Sequence, residues 1–203
     1  MREAYRKYFL PEAFKSTRQC VAVRPIFMGL ADASEKQRLA QHLNKLVVEN
    51  GYHLNTGFLS TPYICQVLAD NGYLDTAYRL LEQEEMPGWL YSVKKGATII
   101  WEKWDGVKED GSLDSSQNHY SYGAIVGWLF DSVAGIRPVK PGYKEFCVAP
   151  HPGGSLRCAK ARMESVHGEI RAEWELRDEQ CVMMVQIPVN TTAEIFLPVS
   201  EVS

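Results

Sequence analysis

Apolar residues recur at three- and four-residue spacing through the first two thirds of the chain, the pattern of amphipathic helices. The clearest case is residues 39–47, where leucine and valine side chains make one face of a predicted helix. Ser34 is its expected N-cap, and Asn50-Gly51 is a typical C-terminal signal. Further helices are predicted, in chain order, within residues 2–15, 19–31, 62–70, 75–84 and 122–133. Helices joined by short loops, without strand signals, predict helical hairpins.

The pattern changes after residue 136. Residues 137–142 form a turn-rich linker, and from Phe146 onward short apolar segments alternate with turns. Every second residue from Ile170 to Leu176 is apolar, which places Trp174 in the predicted core. These segments predict an antiparallel β region of about four to five strands.

The two patterns divide the chain into a helical domain over 1–136 and a β domain over 143–203. The last apolar segment, TAEIFLPV, reaches Val199 without a following turn. The β domain is therefore expected to be incomplete, and the fold class is α+β.

Composition and charge exclude several classes of protein. The 203 residues carry a formal net charge of −3, with a pI near 6.0, so no basic surface for nucleic acid is expected. No apolar run is long enough to span a membrane, and residues 1–14 do not have the pattern of a signal peptide. The five cysteines are scattered without a CxxC pair, which argues against zinc and a disulfide framework and favours the cytoplasm.

Candidate chemistry is concentrated in residues 96–122. Glu102 lies in the segment WEKWD between Trp101 and Trp104, and His119 follows in the segment NHY. Aromatic faces stack on the apolar side of a sugar ring, and charged groups bond its hydroxyls. A carboxylate can serve as acid or base at the anomeric carbon. The combination is typical of a sugar-cleaving site.

Each of these residues also has an ordinary structural interpretation. Glu102 could be a surface acid, the two tryptophans could pack helical hairpins, and His119 could be a hydrogen-bonded structural histidine. Asn118 is the expected cap of the helix that follows it. Asp105 has two open roles, since it could bond a sugar hydroxyl or end the local turn.

Three segments resemble the C-terminal part of the bacterial α-L-rhamnosidases, glycoside hydrolase family 78. They are TGFLSTPYICQVLADNGYLDTAYRLLEQEEMPGWLYSVKKGATIIWEKWDG, NHYSYGAIVGWLFDSVAGIRPVKPGYK and APHPGGSLRCAKA. The resemblance covers most of residues 53–174. The motifs GATxxWExW and NHYxxG, in that order and followed by the β segment, are specific to the family. It implies a partial (α/α)6 helical toroid followed by an antiparallel β-sandwich segment.

The resemblance also implies an activity and the residues that carry it. It implies an inverting hydrolase, free of metals and cofactors, that removes terminal α-L-rhamnose from glycosides. Glu102 would be the general base that activates water, and His119 would contact the sugar. Trp101 and Trp104, beside the base, would line the pocket.

The chain departs from the family in length. Family members are several times longer, and their general acid lies upstream of the matching segment. Inversion needs two carboxyl groups roughly 6.5–9.5 Å apart, and no second residue here matches the family's acid. We therefore expect a fragment that is weak or inactive alone, so that its status as an enzyme stays open.

Two other functions remain. The chain could be a non-catalytic carbohydrate-binding or interaction remnant, or part of another toroid glycosidase acting on glucosides, although the WEKW and NHY segments argue against the latter. A partial toroid exposes apolar helix faces, and such patches drive association. A homo-oligomer or a partner chain covering those faces is expected.

Overall fold

The chain divides into a helical unit, Met1–Ile125, and a unit rich in strands, Val126–Ser203. The computed structural model describes residues 1–178 and 180–198. Both helices and sheets are present, as the predicted α+β class requires. The domain boundaries predicted at 136 and 143 stay a prediction.

The helices are short apart from one. They are α1 (Arg2–Tyr8), α2 (Leu10–Ala13), α3 (Cys20–Phe27), α4 (Ala33–Glu49), α5 (Ile64–Ala69), α6 (Leu74–Leu81), α7 (Trp89–Lys94), α8 (Tyr120–Gly123) and α9 (Ile125–Trp128). A 3-10 turn, Thr61–Tyr63, precedes α5, and a π-helical turn, Leu129–Val133, follows α9. The helix predicted over 75–84 ends at Leu81, and α7 was not predicted. No helix in the described residues is long and apolar enough to cross a bilayer.

The ends of α4 follow local chemistry. The N-cap is Asp32 rather than the predicted Ser34, because the Asp32 carboxylate accepts the Glu35 N–H at 2.9 Å. The Glu35 carboxylate accepts the Asp32 N–H at 2.9 Å in return, which completes a capping box. At the other end Asn50 caps the helix, and Gly51 takes the left-handed backbone, as predicted.

The predicted continuous helix over 122–133 is wrong. The segment begins at Tyr120 and breaks into α8, α9 and the π-helical turn. Glycines at 123 and 127 lower its helix propensity. Val126 is 49% exposed, so the segment is not buried on all sides.

The core of the helical unit lies between α3, α4, α5 and α6, which pack against one another. The turn between α5 and α6 contains Gly72 at φ +91°, so the two helices follow each other closely, as the predicted hairpin pattern implies. Large side chains that are fully buried here are Leu39, Leu43, Ile64, Leu68, Tyr78 and Leu80.

The strand-rich unit contains two three-stranded sheets within the described residues. The strands are β1 (Ile136–Pro138), β2 (Glu145–Val148), β3 (Cys158–Ser165), β4 (Gly168–Arg177), β5 (Gln180–Gln186) and β6 (Thr192–Ile195). One sheet has the order β1-β2-β6 and the other β3-β4-β5. Six strands replace the predicted four to five, and β2 pairs with β6 in parallel rather than antiparallel fashion.

Strand β1 lies where a linker was predicted. Its Pro138 cannot donate a ladder hydrogen bond, but the strand is at the edge of the order β1-β2-β6, where proline is tolerated. The prolines and the glycine of this stretch predicted a linker, although its first residues form a short edge strand.

Side chains from both sheets share one core. Phe146 and Val148 of the first sheet cluster with Ile170 and Ala172 of the second, as a sandwich requires. Trp174 is 2% exposed, and its indole N–H donates to the Val133 carbonyl at 2.7 Å, which confirms its predicted burial. The predicted strand at residues 198–199 lies in part outside the described residues.

Candidate active site

The segment between α7 and α8 is a loop closed on itself. Its two limbs are joined by an isolated β-bridge between Val107 and Leu113. The Lys108 N–H donates to the Ser112 carbonyl at 2.9 Å, and the Asp114 N–H donates to the Gly106 carbonyl at 2.9 Å. We call residues 96–119 the site loop. Backbone bonds between its limbs position the predicted site residues.

The Glu102 side chain is held by the opposite limb. Its backbone N–H donates to the Ser116 carbonyl at 3.0 Å, and the Ser116 N–H donates to Glu102 Oε2 at 3.1 Å. Oε1 has no hydrogen bond with any residue in 1–178 or 180–198. The half-buried carboxylate is thus anchored through one oxygen and can accept a proton from water at the other.

His119, not the predicted Asn118, caps α8. The imidazole Nδ1 of His119 accepts the Ser121 backbone N–H at 3.3 Å. The backbone N–H of His119 donates to the Ile100 carbonyl at 2.8 Å. A neutral imidazole that accepts at Nδ1 carries its hydrogen at Nε2. The cap therefore leaves His119 with an Nε2–H donor that suits a sugar hydroxyl.

Five rings form an aromatic cluster around this end of the site loop: Phe58, Trp89, Trp104, His119 and Tyr122. Trp104 stacks on Tyr122 with ring centroids 4.0 Å apart and planes 10° apart. Trp104 and Trp89 are T-shaped to each other, with ring centroids 5.8 Å apart. Phe58 stacks on His119 at 4.6 Å and lies 5.3 Å from Tyr122. The Trp89 indole N–H donates to the Tyr122 carbonyl at 2.9 Å. Trp104 and His119 therefore belong to one packed group.

Glu102 is linked electrostatically to this cluster. Burial raises the pKa of the Tyr122 hydroxyl, and the negative charge of Glu102 raises that pKa further. The carboxylate therefore lies close enough to Tyr122 for its charge to act on the hydroxyl. Trp104 stacks on this ring, and Phe58 connects the ring to His119.

Trp101 is placed differently. Its side chain is 6% exposed, and its Cβ is 3.2 Å from the position that a Cβ on Gly106 would take. This burial favours a packing role, and its predicted contact with sugar stays a prediction. Asp105 is bound by Lys108, which lowers the pKa of the Asp105 carboxyl. Both residues support the shape of the loop.

Two residues of this site, Phe58 and Ser116, were not among the predicted site residues. Phe58 stacks on His119 from 61 positions away, and the Ser121 hydroxyl donates to the Phe58 carbonyl at 3.3 Å. Ser116 supplies the amide that anchors Glu102. Neither contact leaves a local signal in the chain, since both depend on how distant segments fold together.

Family models match both parts of the chain. Residues 1–133 match the bacterial α-L-rhamnosidase six-hairpin glycosidase domain, and residues 135–203 match the bacterial α-L-rhamnosidase C-terminal domain. The chain belongs to the bacterial α-L-rhamnosidase family. The predicted helical toroid followed by a β-rich domain is confirmed at the level of these two domains. The roles of Glu102, His119, Trp101 and Trp104 stay predictions, as does the cytoplasmic location.

Curated α-L-rhamnosidases are similar along most of this chain. The enzyme of Streptomyces avermitilis is 37% identical over 188 residues, which is 91% of this chain and 18% of the relative. A Formosa agariphila α-L-rhamnosidase is 39% identical over 173 residues, covering 83% of this chain and 19% of the relative. The chain thus spans about a fifth of the length of these relatives.

Solved structures agree with these matches. The Streptomyces avermitilis α-L-rhamnosidase complexed with L-rhamnose superposes with a TM-score of 0.86 at 37% identity, covering 91% of this chain and 18% of that one. The α-L-rhamnosidase from Dictyoglumus thermophilum also gives a TM-score of 0.86, at 31% identity, covering 96% of this chain and 22% of that one.

Proposed function

We propose that this rhamnosidase chain carries the base side of an inverting site that hydrolyses terminal α-L-rhamnosides. Glu102 Oε1 accepts a proton from water, and His119 Nε2–H donates to a hydroxyl of the sugar. Trp104 offers an aromatic surface beside the base. The observation that supports the proposal most is the anchored Glu102 carboxylate, open at one oxygen next to the aromatic cluster.

The chemistry needs a second carboxyl group. Water loses a proton to Glu102 as it attacks the anomeric carbon, and the glycosidic C–O bond breaks on the opposite face of the ring. The leaving oxygen then takes a proton from the general acid. Proton donation at neutral pH requires a carboxyl whose pKa is raised.

Two acids of the site loop, Asp105 and Asp114, do not meet that requirement. Lys108 bonds Asp105, and Lys103 and Lys108 both bond Asp114. These lysines lower the pKa of both carboxyls, so both stay ionised at neutral pH. We infer that neither acts as the general acid. We propose that the chain alone lacks one, as the family resemblance implies.

The isolated chain should therefore hydrolyse rhamnosides poorly. The reference is a rhamnosidase chimera, in which this chain replaces the segment that it matches in the Streptomyces avermitilis enzyme. Turnover of 4-nitrophenyl α-L-rhamnoside by the isolated chain should fall about 10²–10⁴-fold below the chimera, the loss typical of one missing acid or base. Comparable turnover in the two proteins would reject this expectation. L-rhamnose binding with no hydrolysis even in the chimera would support a carbohydrate-binding role instead.

An apolar groove on the helical unit supports association. A cavity of about 480 Å³ is lined by side chains of α1, α2 and α3 and the turns beside them, including Phe9 and Met28. Phe9 is 64% exposed and Met28 is 61% exposed. Contiguous apolar surface of this kind favours contact with another protein surface. We propose that a second copy or a partner chain covers it.

Light scattering tests this proposal on the purified chain. The wild type should have a mass above that of one chain, and a Phe9→Glu, Met28→Glu variant should move toward a single chain. Val166→Glu is the matched control, because Val166 is 84% exposed but lies in the strand-rich unit. A monomeric wild type would remove the case for self-association.

A further inference from the structure

Four charged side chains of the site loop form a connected chain of ion pairs, which we call the clasp: Lys103, Asp105, Lys108 and Asp114. Asp114 Oδ1 lies 3.1 Å from Lys103 Nζ, and Asp114 Oδ2 lies 3.1 Å from Lys108 Nζ. Lys108 also bonds Asp105. Asp114 is thus the member that connects the two lysines.

The clasp lies next to the bonds that hold the proposed base. Lys103 directly follows Glu102 on one limb of the loop, and Ser116 lies two residues after Asp114 on the other. The Lys103–Asp114 pair and the paired Glu102–Ser116 bonds therefore cross between the same two limbs. A change in the separation of the limbs at Asp114 moves the Ser116 N–H relative to the Glu102 carboxylate.

Backbone hydrogen bonds also join the two limbs, between Glu102 and Ser116, Gly106 and Asp114, and Lys108 and Ser112. Within 96–119 the described pairing of strands is the single bridge Val107–Leu113. The Gly106 carbonyl accepts from the Asp114 N–H at 2.9 Å and from Gln117 Nε2 at 3.0 Å. The ion pairs of Asp114 with Lys103 and Lys108 add two side-chain links between the same limbs.

The charges of the clasp stabilise one another. Hydrogen bonds from Lys108 and Lys103 lower the pKa of the Asp114 carboxyl, and bonds to Asp105 and Asp114 raise the pKa of Lys108. Both shifts favour the charged forms of Asp114 and Lys108.

We propose that Asp114 is a positioning residue, which holds the two limbs of the site loop so that the Ser116 N–H anchors Glu102 in its reactive orientation. Asp114 itself does not contact the sugar in this proposal. Its catalytic consequence rests on the proposed role of Glu102 as the base.

Hydrogen exchange of the full chain tests the positioning directly. Asp114→Asn keeps the shape of the side chain but removes its charge, so the Ser116 amide should exchange about tenfold faster by NMR. Asp114→Glu keeps the charge and should restore slow exchange. Glu109→Gln is the matched control, since Glu109 is an exposed acid of the same loop with no ion pair in the described residues. Unchanged Ser116 exchange in Asp114→Asn would overturn the proposal.

Kinetics of the rhamnosidase chimera separate this proposal from the proposed function. Asp114→Asn should lower kcat about tenfold with little change in KM, because it displaces the base rather than the sugar. Asp114→Glu should recover most of kcat. If Glu102→Gln leaves turnover intact while Asp114→Asn still speeds Ser116 exchange, the base assignment fails and the positioning of the carboxylate stands. If Glu102→Gln abolishes turnover while Asp114→Asn alters neither exchange nor kcat, the positioning proposal fails alone.

Discussion

Gly135→Ala is expected to unfold the strand-rich unit. Gly135 has φ +84°, and a Cβ at this position would lie 2.3 Å from the Pro150 nitrogen and 2.4 Å from the Ala149 carbonyl carbon. These are backbone atoms, and the Ala149 N–H donates to the Gly135 carbonyl at 2.9 Å. The segments around Gly135 and Ala149 therefore cannot move apart without losing that hydrogen bond. Collision and backbone strain together should cost about 4 kcal/mol or more of unfolding free energy.

Gly96→Ala isolates the contribution of backbone strain. Gly96 has φ +81°, close to that of Gly135, but beyond its two chain neighbours no heavy atom lies within 4 Å of the position that a Cβ would take. It should therefore lose only about 1 kcal/mol, the cost of a left-handed non-glycine residue. Urea unfolding, followed through NMR amide signals of each unit, measures both variants. Equal losses in the two variants would show that the close approach at Ala149 is not rigid.

The parts of the fold that could be predicted depend on local signals. The spacing of apolar side chains predicts the buried face of α4, and Gly51 predicts where the helix ends. Both predictions were correct. The alternation that placed Trp174 in the core is equally local. Where several weak signals compete, prediction failed: Asp32 displaced Ser34 as the cap because its carboxylate reaches the Glu35 amide.

Long-range pairing accounts for the other errors in the fold. Strand β1 exists because it pairs with β2 at the edge of a sheet, which overrides the turn-like residues around Pro138. The parallel pairing of β2 with β6 joins segments more than 40 residues apart. Neither is visible in a window of sequence, since each depends on which segments meet.

The residues of the candidate site likewise divide into those that local motifs predicted and those that only the fold identifies. Glu102 and His119 could be named from two short motifs whose residue types carry chemistry. Ser116 and Asp114 could not, because serine and aspartate are common in loops and their roles depend on the contacts between the two limbs. The motif therefore identifies the reactive group, and the fold identifies what orients it.

Glu102→Gln in the rhamnosidase chimera should lower kcat about 10²–10⁴-fold while leaving KM and stability nearly unchanged. The amide has almost the same size as the carboxylate, so the Ser116 N–H can still donate to its oxygen. It cannot take a proton from water, so the step that generates the nucleophile is lost. Release of 4-nitrophenol from the rhamnoside measures the effect, and Glu109→Gln should retain the turnover of the unmodified chimera.

Azide distinguishes a missing base from a disturbed pocket. Azide is an anion and needs no proton removed before it attacks the anomeric carbon. In Glu102→Ala, which opens space beside the sugar, added azide should restore part of the turnover and give a rhamnosyl azide of inverted configuration. A variant that is inactive because the site loop has collapsed would not respond, since the sugar and the leaving group would no longer be held in line. Rescue with the inverted product therefore requires that Glu102 act on water, whereas full activity of Glu102→Gln without azide would assign the base to another residue.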